Sequence, residues 1–230
     1  MQFQNAARRI GAWGRAAAFL GLVCLAATAQ AQNTVQNPNL TNSLPPWTLL
    51  LSSAPDPAGN GSVVWTATQD ASGVLGTSGA AQVDLAASPS AAHAAASVSQ
   101  CVVFAAPTMV LQANYGARFK IPASDVADGS VGAAVEIRFF SDATCTQFIA
   151  GAGGMQGRAI VSGVPDDGFW YSAGDPAFTP PANTLAASAE VHATLRKLGT
   201  SAAPYTGYFD DIFLSLNGTV PVSLQSFGID

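Results

Sequence analysis

Charged residues are scarce in this chain of 230 residues. They make up 10% of it, with 9 Lys and Arg against 14 Asp and Glu, and the net charge is −5. No basic cluster exceeds a pair of neighbours such as Arg196-Lys197. Nucleic acids and anionic lipids are bound by clustered basic side chains, so the composition excludes both classes of partner.

Long hydrophobic runs are missing after the N-terminus. There, three arginines precede an apolar run over residues 16–27, which is too short to span a bilayer, and Ala29-Gln30-Ala31 follows as a signal-peptidase site. The sequence therefore predicts a signal peptide over 1–31 and a secreted mature form, extracellular or on the cell surface, without membrane insertion; the periplasm is the alternative. Cleavage leaves six basic against fourteen acidic residues, a net charge of −8.

Cysteine and histidine are almost absent from the mature chain. Only Cys101 and Cys145 remain after cleavage, together with His93 and His192. In an oxidising compartment an isolated cysteine pair indicates a disulfide, so we predict a Cys101–Cys145 bond. A metal site at the cysteines is the weaker alternative, because neither histidine has ligand spacing.

Helical periodicity is also lacking, whereas short runs of β-branched and aromatic residues recur between turn residues. Leu185 to Leu198 alternates most regularly and predicts a strand with a dry face and a solvated face, the latter carrying His192. Roughly eight to ten such strands without internal repeats favour an all-β fold, a single-domain sandwich or jelly roll, over 32–218. Residues 219–230 are predicted to form an extended tail. Further strands are predicted at Ser62 to Gln69, Ala80 to Ala86, Ala96 to Phe104, Met109 to Ile121 and Ala133 to Ser141.

The order of several short motifs resembles the galactose-binding-like jelly roll of bacterial secreted carbohydrate-binding modules. In that family an opening NG(D/N)FE…W segment and a closing xFDD(V/I)xL strand bracket the domain. The motifs in this chain are Asn37-Pro38-Asn39-Leu40, Trp47, Ser99-Gln100-Cys101-Val102, Val135-Glu136-Ile137-Arg138-Phe139-Phe140, Asp142-Ala143-Thr144-Cys145, Trp170, Pro180-Pro181-Ala182 and Tyr208-Phe209-Asp210-Asp211-Ile212-Phe213-Leu214.

The resemblance also implies a structural Ca²⁺ between the opening segment and the closing strand. It indicates Asp210 or Asp211 as a ligand, and no other cofactor. The opening departs from the family pattern, because Leu40-Thr41 stands where an acidic residue is usual. Two carboxylates together with carbonyl oxygens would still provide ligands that calcium accepts.

Aromatic side chains are the candidate ligand-binding groups, because the C–H face of a sugar ring stacks on flat rings. Trp170, Tyr171 and Trp65 have loop-like or polar neighbours and are predicted to be exposed and to bind the ligand, whereas Trp47 and Phe169 are predicted to lie in the core. In a core rich in alanine, filling core volume is the favoured alternative for each tryptophan.

Catalytic signatures are missing as well. No G-x-S-x-G motif occurs, and no pair of acidic residues is singled out by spacing as a glycosidase pair. We therefore predict a secreted, non-enzymatic, carbohydrate-binding protein that recognises a glycan or polysaccharide by aromatic stacking. The alternative is an extracellular structural or adhesion protein that uses the sandwich for protein contacts.

Overall fold

The structure is a computed structural model, and it describes eight segments of the chain. They are residues 33–51, 61–73, 78–85, 94–123, 131–149, 157–161, 167–199 and 203–217. The predicted signal peptide over 1–31 and the predicted tail over 219–230 lie outside these described residues. None of the described segments forms a helix of the length and apolar character that a membrane crossing needs.

Ten β-strands account for the regular structure of the described residues. Their bounds are β1 Thr48–Leu50, β2 Gly61–Thr66, β3 Ala80–Leu85, β4 Ala95–Met109, β5 Ala113–Lys120, β6 Val131–Phe140, β7 Gly157–Val161, β8 Trp170–Phe178, β9 Leu185–Lys197 and β10 Tyr205–Leu216.

The strands form two antiparallel sheets of five strands each. The first sheet has the order β1-β4-β9-β6-β7, and the second has the order β2-β3-β10-β5-β8. The long strands β4, β9, β10 and β5 lie inside the sheets, and the shorter β1, β2 and β7 lie at their edges. The predicted all-β jelly-roll sandwich is confirmed.

The core lies between the two sheets because alternate residues of each strand point inward. From the first sheet Val98, Val135 and Val191 are fully buried, and from the second sheet Phe119 and Phe209 meet them. Small alanines are frequent among the inward residues, so the few large rings fill most of the remaining volume.

Strand β9 departs from the prediction of one dry and one solvated face. Its outward residues Ser188, His192 and Thr194 are fully buried rather than solvated. The reason is that β9 is the central strand of its sheet, between β4 and β6, so its polar side chains meet other protein groups rather than water. Ser188 donates to Asp142 O in the loop after β6, and His192 lies 2.8 Å from Glu190 of β9 itself. The hydroxyl groups of Thr194 and Ser97, for example, lie 2.8 Å apart.

The opening segment runs along the closing strand β10. The amide N–H of Thr34 donates to Leu214 O at 2.7 Å, and that of Ile212 donates to Pro38 O at 3.0 Å. Leu40 is fully buried, and Trp47 is only 2% exposed, which confirms its predicted place in the core. Each large apolar side chain buried in this way stabilises the fold by about 1.5–3 kcal/mol.

The two mature cysteines are joined, in agreement with the sequence prediction. Cys101 in β4 and Cys145 in the loop after β6 form an S–S bond of 2.09 Å across a sequence separation of 44 residues. The loop is ordered around Asp142, whose carboxylate accepts hydrogen bonds from the amides of Thr146 and Gln147 and from nearby hydroxyls. The disulfide therefore fixes this loop to the first sheet.

Candidate functional site

Two of the three predicted ligand-binding rings face inward. The indole N–H of Trp65 donates to Leu40 O at 2.6 Å, and the ring packs against the core. Tyr171 is stacked on Phe119, with ring centroids 6.0 Å apart, and its hydroxyl donates to the carboxylate of Asp167 at 2.6 Å. Both rings are thus largely committed to contacts within the protein.

Trp170 lies on the opposite face of β8 from Tyr171, because adjacent residues of a strand point to opposite sides. The ring is partly exposed, and the Lys120 Nζ atom lies 6.0 Å from its centroid. The structure therefore does not bring Trp65, Tyr171 and Trp170 onto one platform. The neighbouring Phe169 is 69% exposed, so its predicted core position is wrong: it precedes the strand and has no inward-facing place in the sheet.

A row of five side chains crosses the outer face of the second sheet, and Trp170 is its end member. The register pairs these residues in sequence from β2 to β8, and we call them the outer row: Val64, Gln82, Tyr208, Lys120 and Trp170. All of them are exposed or partly exposed. The outer row therefore places two aromatic rings on one accessible sheet surface, with an ammonium group between them.

The spacing of the outer row follows from sheet geometry. Tyr208 lies in β10 and Trp170 in β8, two strands away, which separates their backbones by about 10 Å.

The hydroxyl group of Tyr208 is kept protonated by its surroundings. Burial, and then the negative charge of nearby Asp84, raises the pKa of the Tyr208 hydroxyl, so the phenol stays able to donate a hydrogen bond.

Beside the outer row, a cavity of about 420 Å³ opens over Asp84. We call it the Asp84 pocket. The carboxylate of Asp84 accepts hydrogen bonds from Ser62, Gln82 and Thr206 on the two neighbouring strands and on β3 itself. The residues that line the pocket are Gly61, Ser62, Asp84, Leu85, Pro204, Tyr205 and Thr206.

The aspartates that the resemblance indicates as metal ligands lie on the same sheet, at β10. Asp210 and Asp211 are both buried, and Asp70 from the loop after β2 is close to them. Asp210 accepts the amide N–H of Ala71 at 2.8 Å and that of Asp211 at 2.7 Å. Burial, with the charges of Asp211 and Asp70, raises the pKa of Asp210 to about 8.

The side chain of Asp211 has one carboxylate oxygen, Oδ2, that is available to bind a cation. Asp211 lies at an irregularity of β10 with φ +47°, and its Oδ2 atom is buried without a hydrogen-bond partner among the described residues. Burial raises the pKa of Asp211, and Arg118 opposes this shift. A buried excess of negative charge and an unsatisfied carboxylate oxygen fit a hard cation such as Ca²⁺. In the described part of the chain, however, no three His, Cys, Asp or Glu side chains are grouped as metal ligands.

The buried polar face of the first sheet carries a network of ionisable groups. Arg158 Nε lies 2.6 Å from Glu136 Oε1, and His192 lies between two carboxylates, with Nε2 2.8 Å from Glu190 Oε2 and Nδ1 3.9 Å from Glu136 Oε2. The register pairs His192 with Glu136 directly. Glu136 and His192 are both fully buried, so this network holds the sheet together rather than facing a ligand.

Sequence reasoning found Trp170 but not its partners in the outer row. Tyr208 and Lys120 lie in separate segments that only the strand register brings together. The alternation of β10 and β5 was the available signal, because it places Tyr208 and Lys120 on outward faces once the core positions Phe209 and Phe119 are recognised.

No protein-family model matches this chain, and no curated protein matches it. Several of the solved structures that align with this chain are carbohydrate-binding modules. An arabinose-bound α-L-arabinofuranosidase aligns with a TM-score of 0.53 at 15% identity, over 81% of this chain and 26% of that enzyme. A family 61 carbohydrate-binding module in complex with β-1,4-galactotriose aligns with a TM-score of 0.48 at 14% identity, over 81% of this chain and 100% of the module.

The enzymatically active domain of tailspike protein 4 from bacteriophage CBA120 aligns with a TM-score of 0.49 at 17% identity. The alignment covers 82% of this chain and 21% of the tailspike, so the chain spans about a quarter or less of the tailspike and of the arabinofuranosidase. These likenesses are likenesses of fold. The alignment with the arabinofuranosidase, at a TM-score above 0.5, supports a fold shared with part of that enzyme.

Proposed function

We propose that this protein binds a glycan or polysaccharide on the outer face of its second sheet, and does so without changing the ligand chemically. The observation that carries the proposal is the outer row, where Trp170 and Tyr208 lie on one accessible surface on either side of Lys120. Flat rings bury the apolar face of a sugar, while neighbouring polar groups bind its hydroxyls.

The geometry of the outer row suits an extended polymer. The strands that carry Tyr208 and Trp170 lie about 10 Å apart. The two aromatic side chains can therefore contact two sugar rings of the same polysaccharide that are two units apart. Gln82 and Lys120 lie beside the rings and provide hydrogen-bond donors at the same surface. The ligand-binding residues that we propose are therefore Trp170, Tyr208, Lys120 and Gln82, with Tyr171 and Trp65 as support beneath them.

The non-catalytic part of the proposal rests on how the carboxylates are used. Asp84 is held by three hydrogen-bond donors, and Glu136 and Glu190 pair with Arg158 and His192. Glycoside hydrolysis needs two carboxyl groups that face each other across the scissile bond. None of these three carboxylates has a second one opposite it on the surface of the outer row.

Two further properties belong to the proposal. We propose that the protein acts outside the cytoplasm, in line with the signal peptide predicted from the sequence and with a disulfide that an oxidising compartment preserves. We also propose Ca²⁺ as a structural ion held by Asp211 and Asp210, where it would neutralise buried negative charge.

The test is a binding assay with insoluble polysaccharides and a glycan array, using the mature chain. Trp170→Ala is expected to weaken binding at least about tenfold, which corresponds to about 1.4 kcal/mol. Phe148→Ala is the matched control, because Phe148 is also half-buried but packs on Phe140, at the end of β6 in the first sheet. Release of reducing sugar is measured in parallel and is expected to be zero.

If Trp170→Ala and the wild type bind the glycan equally well, the proposal that the ligand stacks on the outer row is contradicted. A folded protein that binds no glycan would favour the alternative role in protein contacts. A group of exposed apolar side chains supports that alternative: Met109 pairs with Leu185 in the register, and Val103 and Leu111 lie near them in sequence. Concentration-dependent association would then be the observation to make.

A further inference from the structure

The Asp84 pocket has a carboxylate whose position is fixed but whose charge is not neutralised. Its Oδ1 atom accepts hydrogen bonds from Gln82 Nε2 at 3.1 Å and Thr206 Oγ1 at 2.7 Å, and its Oδ2 atom accepts from Gln82 Nε2 at 3.0 Å and Ser62 Oγ at 3.2 Å. These donors are all neutral. Asp84 takes no part in the ion pairs Arg158–Glu136, His192–Glu136 and His192–Glu190.

This arrangement discriminates between kinds of ligand group. Both carboxylate oxygens already accept two hydrogen bonds, so a neutral sugar hydroxyl would have to compete for occupied acceptor positions. A cation is attracted by the charge itself, in whatever direction it approaches. In addition, Ser62 and Thr206 donate their hydroxyl protons to Asp84, so their oxygens present lone pairs to the pocket and accept from a ligand.

We infer that the Asp84 pocket receives the ammonium group of an amino sugar, so that the polysaccharide bound on the outer row is one with free amines, of the partly deacetylated hexosamine type. This inference rests on the proposed carbohydrate binding and names the class of ligand. The apolar pocket residues Leu85, Pro204 and Tyr205 are suited to the carbon skeleton of the sugar. The net charge of −5 for the whole chain also favours a cationic polymer over an acidic one.

The position of Lys120 is compatible with this ligand. Asp84 lies in β3 and Lys120 in β5, with β10 between them, so two strand spacings of about 10 Å in total separate the opposite charges. Lys120 lies over the Trp170 ring rather than toward the pocket. An amino sugar in the Asp84 pocket is thus about one disaccharide away from the ammonium group of Lys120, which lies between Tyr208 and Trp170 in the outer row.

The experiment compares three oligosaccharides of equal length by isothermal titration calorimetry: a glucosamine oligomer, its fully N-acetylated counterpart and a glucose oligomer. It is run at a mildly acidic pH, where the amines are protonated. The wild-type protein is expected to bind the glucosamine oligomer at least about tenfold more tightly than the other two, a difference of about 1.4 kcal/mol. Added salt is expected to weaken only that complex, because screening acts on the charge pair.

Asp84→Asn is expected to remove the preference for the free amine. Asp175→Asn is the matched control with the same change of charge; Asp175 lies in β8 and accepts the amide N–H of Ala177, away from the pocket. Equal affinity of the wild type for the free and acetylated oligomers would overturn the inference, as would a salt-independent preference. If neutral oligomers still bind in a Trp170-dependent manner, the proposed function stands without the amine specificity; if no oligomer binds, both fail.

Discussion

His192 lies between two carboxylates in the middle of the first sheet. Glu190 Oε2 is 2.8 Å from its Nε2 atom, and Glu136 Oε2 is 3.9 Å from its Nδ1 atom. The histidine is fully buried, while the Glu190 side chain keeps 18% of its exposure. When one partner of a buried ion pair is removed, the other remains as an uncompensated buried polar group, which is costly.

Glu190→Gln is therefore expected to lower the free energy of unfolding by about 3 kcal/mol, the lower end of the range for a broken buried pair. Urea unfolding at neutral pH is the measurement. Asp175→Asn, which changes a partly exposed carboxylate, is the control and is expected to stay within about 0.5 kcal/mol of the wild type. Equal losses in the two variants would show that the His192–Glu190 contact contributes no specific stability.

The same contact predicts a pH dependence with a definite sign. Burial alone would raise the pKa of Glu190, but the hydrogen bond from His192 and the charges of His192 and Arg138 outweigh it and hold the pKa below its ordinary value of 4.5. A lowered pKa means that the folded state binds the proton less readily than the unfolded state. The advantage of the wild type over Glu190→Gln is thus complete above pH 4.5 and is lost as the pH falls through the lower, folded-state value.

At the scale of strands, the alternation of apolar residues predicted the interior strands β4, β5, β6 and β9, although not the burial of the outer face of β9, and it missed the edge strand β8. The stretch Trp170 to Phe178 contains the turn-forming residues Gly174, Asp175 and Pro176 and is not among the strands predicted from the sequence, but it forms strand β8. Strand β8 is an edge strand, and Pro176 lies where its register with β5 is irregular; prolines are tolerated at edges and bulges of this kind. Pro107 in β4 coincides with a register irregularity between Val103 and Thr108.

The candidate site depends on register more than on composition. Trp170 could be singled out from its neighbours in the sequence, but its alignment with Tyr208 requires knowing that β5 lies between β8 and β10. A shift by one residue in any strand would send these side chains to the other face. Long-range pairing of this kind leaves no local signal in the chain, so the outer row and the Asp84 pocket emerge only from the structure.

The disulfide is expected to stabilise the sandwich mainly by restricting the unfolded chain. A loop closed over a separation of 44 residues is worth roughly 4 kcal/mol in the chain-entropy model. Reduction, or the double replacement Cys101→Ala with Cys145→Ala, should lower the free energy of unfolding by up to that amount, as measured in urea. Reductant should have no effect on the double variant, and an unchanged midpoint for the reduced wild type would refute the entropic contribution.

At the scale of the whole molecule, strand β10 is where separate parts of the chain meet. The opening segment bonds to it at Ile212 and Leu214, and the loop after β2 bonds to Asp210 through Ala71. Strands β3 and β5 flank it on either side. Anything that stabilises this strand therefore acts on the opening segment, the loop and the second sheet together.

A cation at Asp211 and Asp210 would act in this way. It would offset the repulsion among the buried carboxylates and satisfy the Oδ2 atom of Asp211. A ligand that binds only the folded state, present at a hundred times its dissociation constant, raises the free energy of unfolding by about 2.7 kcal/mol.

Thermal unfolding in excess Ca²⁺ is thus expected to have a higher midpoint than unfolding in chelator, and Asp211→Asn should abolish the difference. Asp142→Asn, on the disulfide loop, should retain it. Identical midpoints for the wild type in calcium and in chelator would show that Asp210 and Asp211 bind no Ca²⁺ in the folded protein.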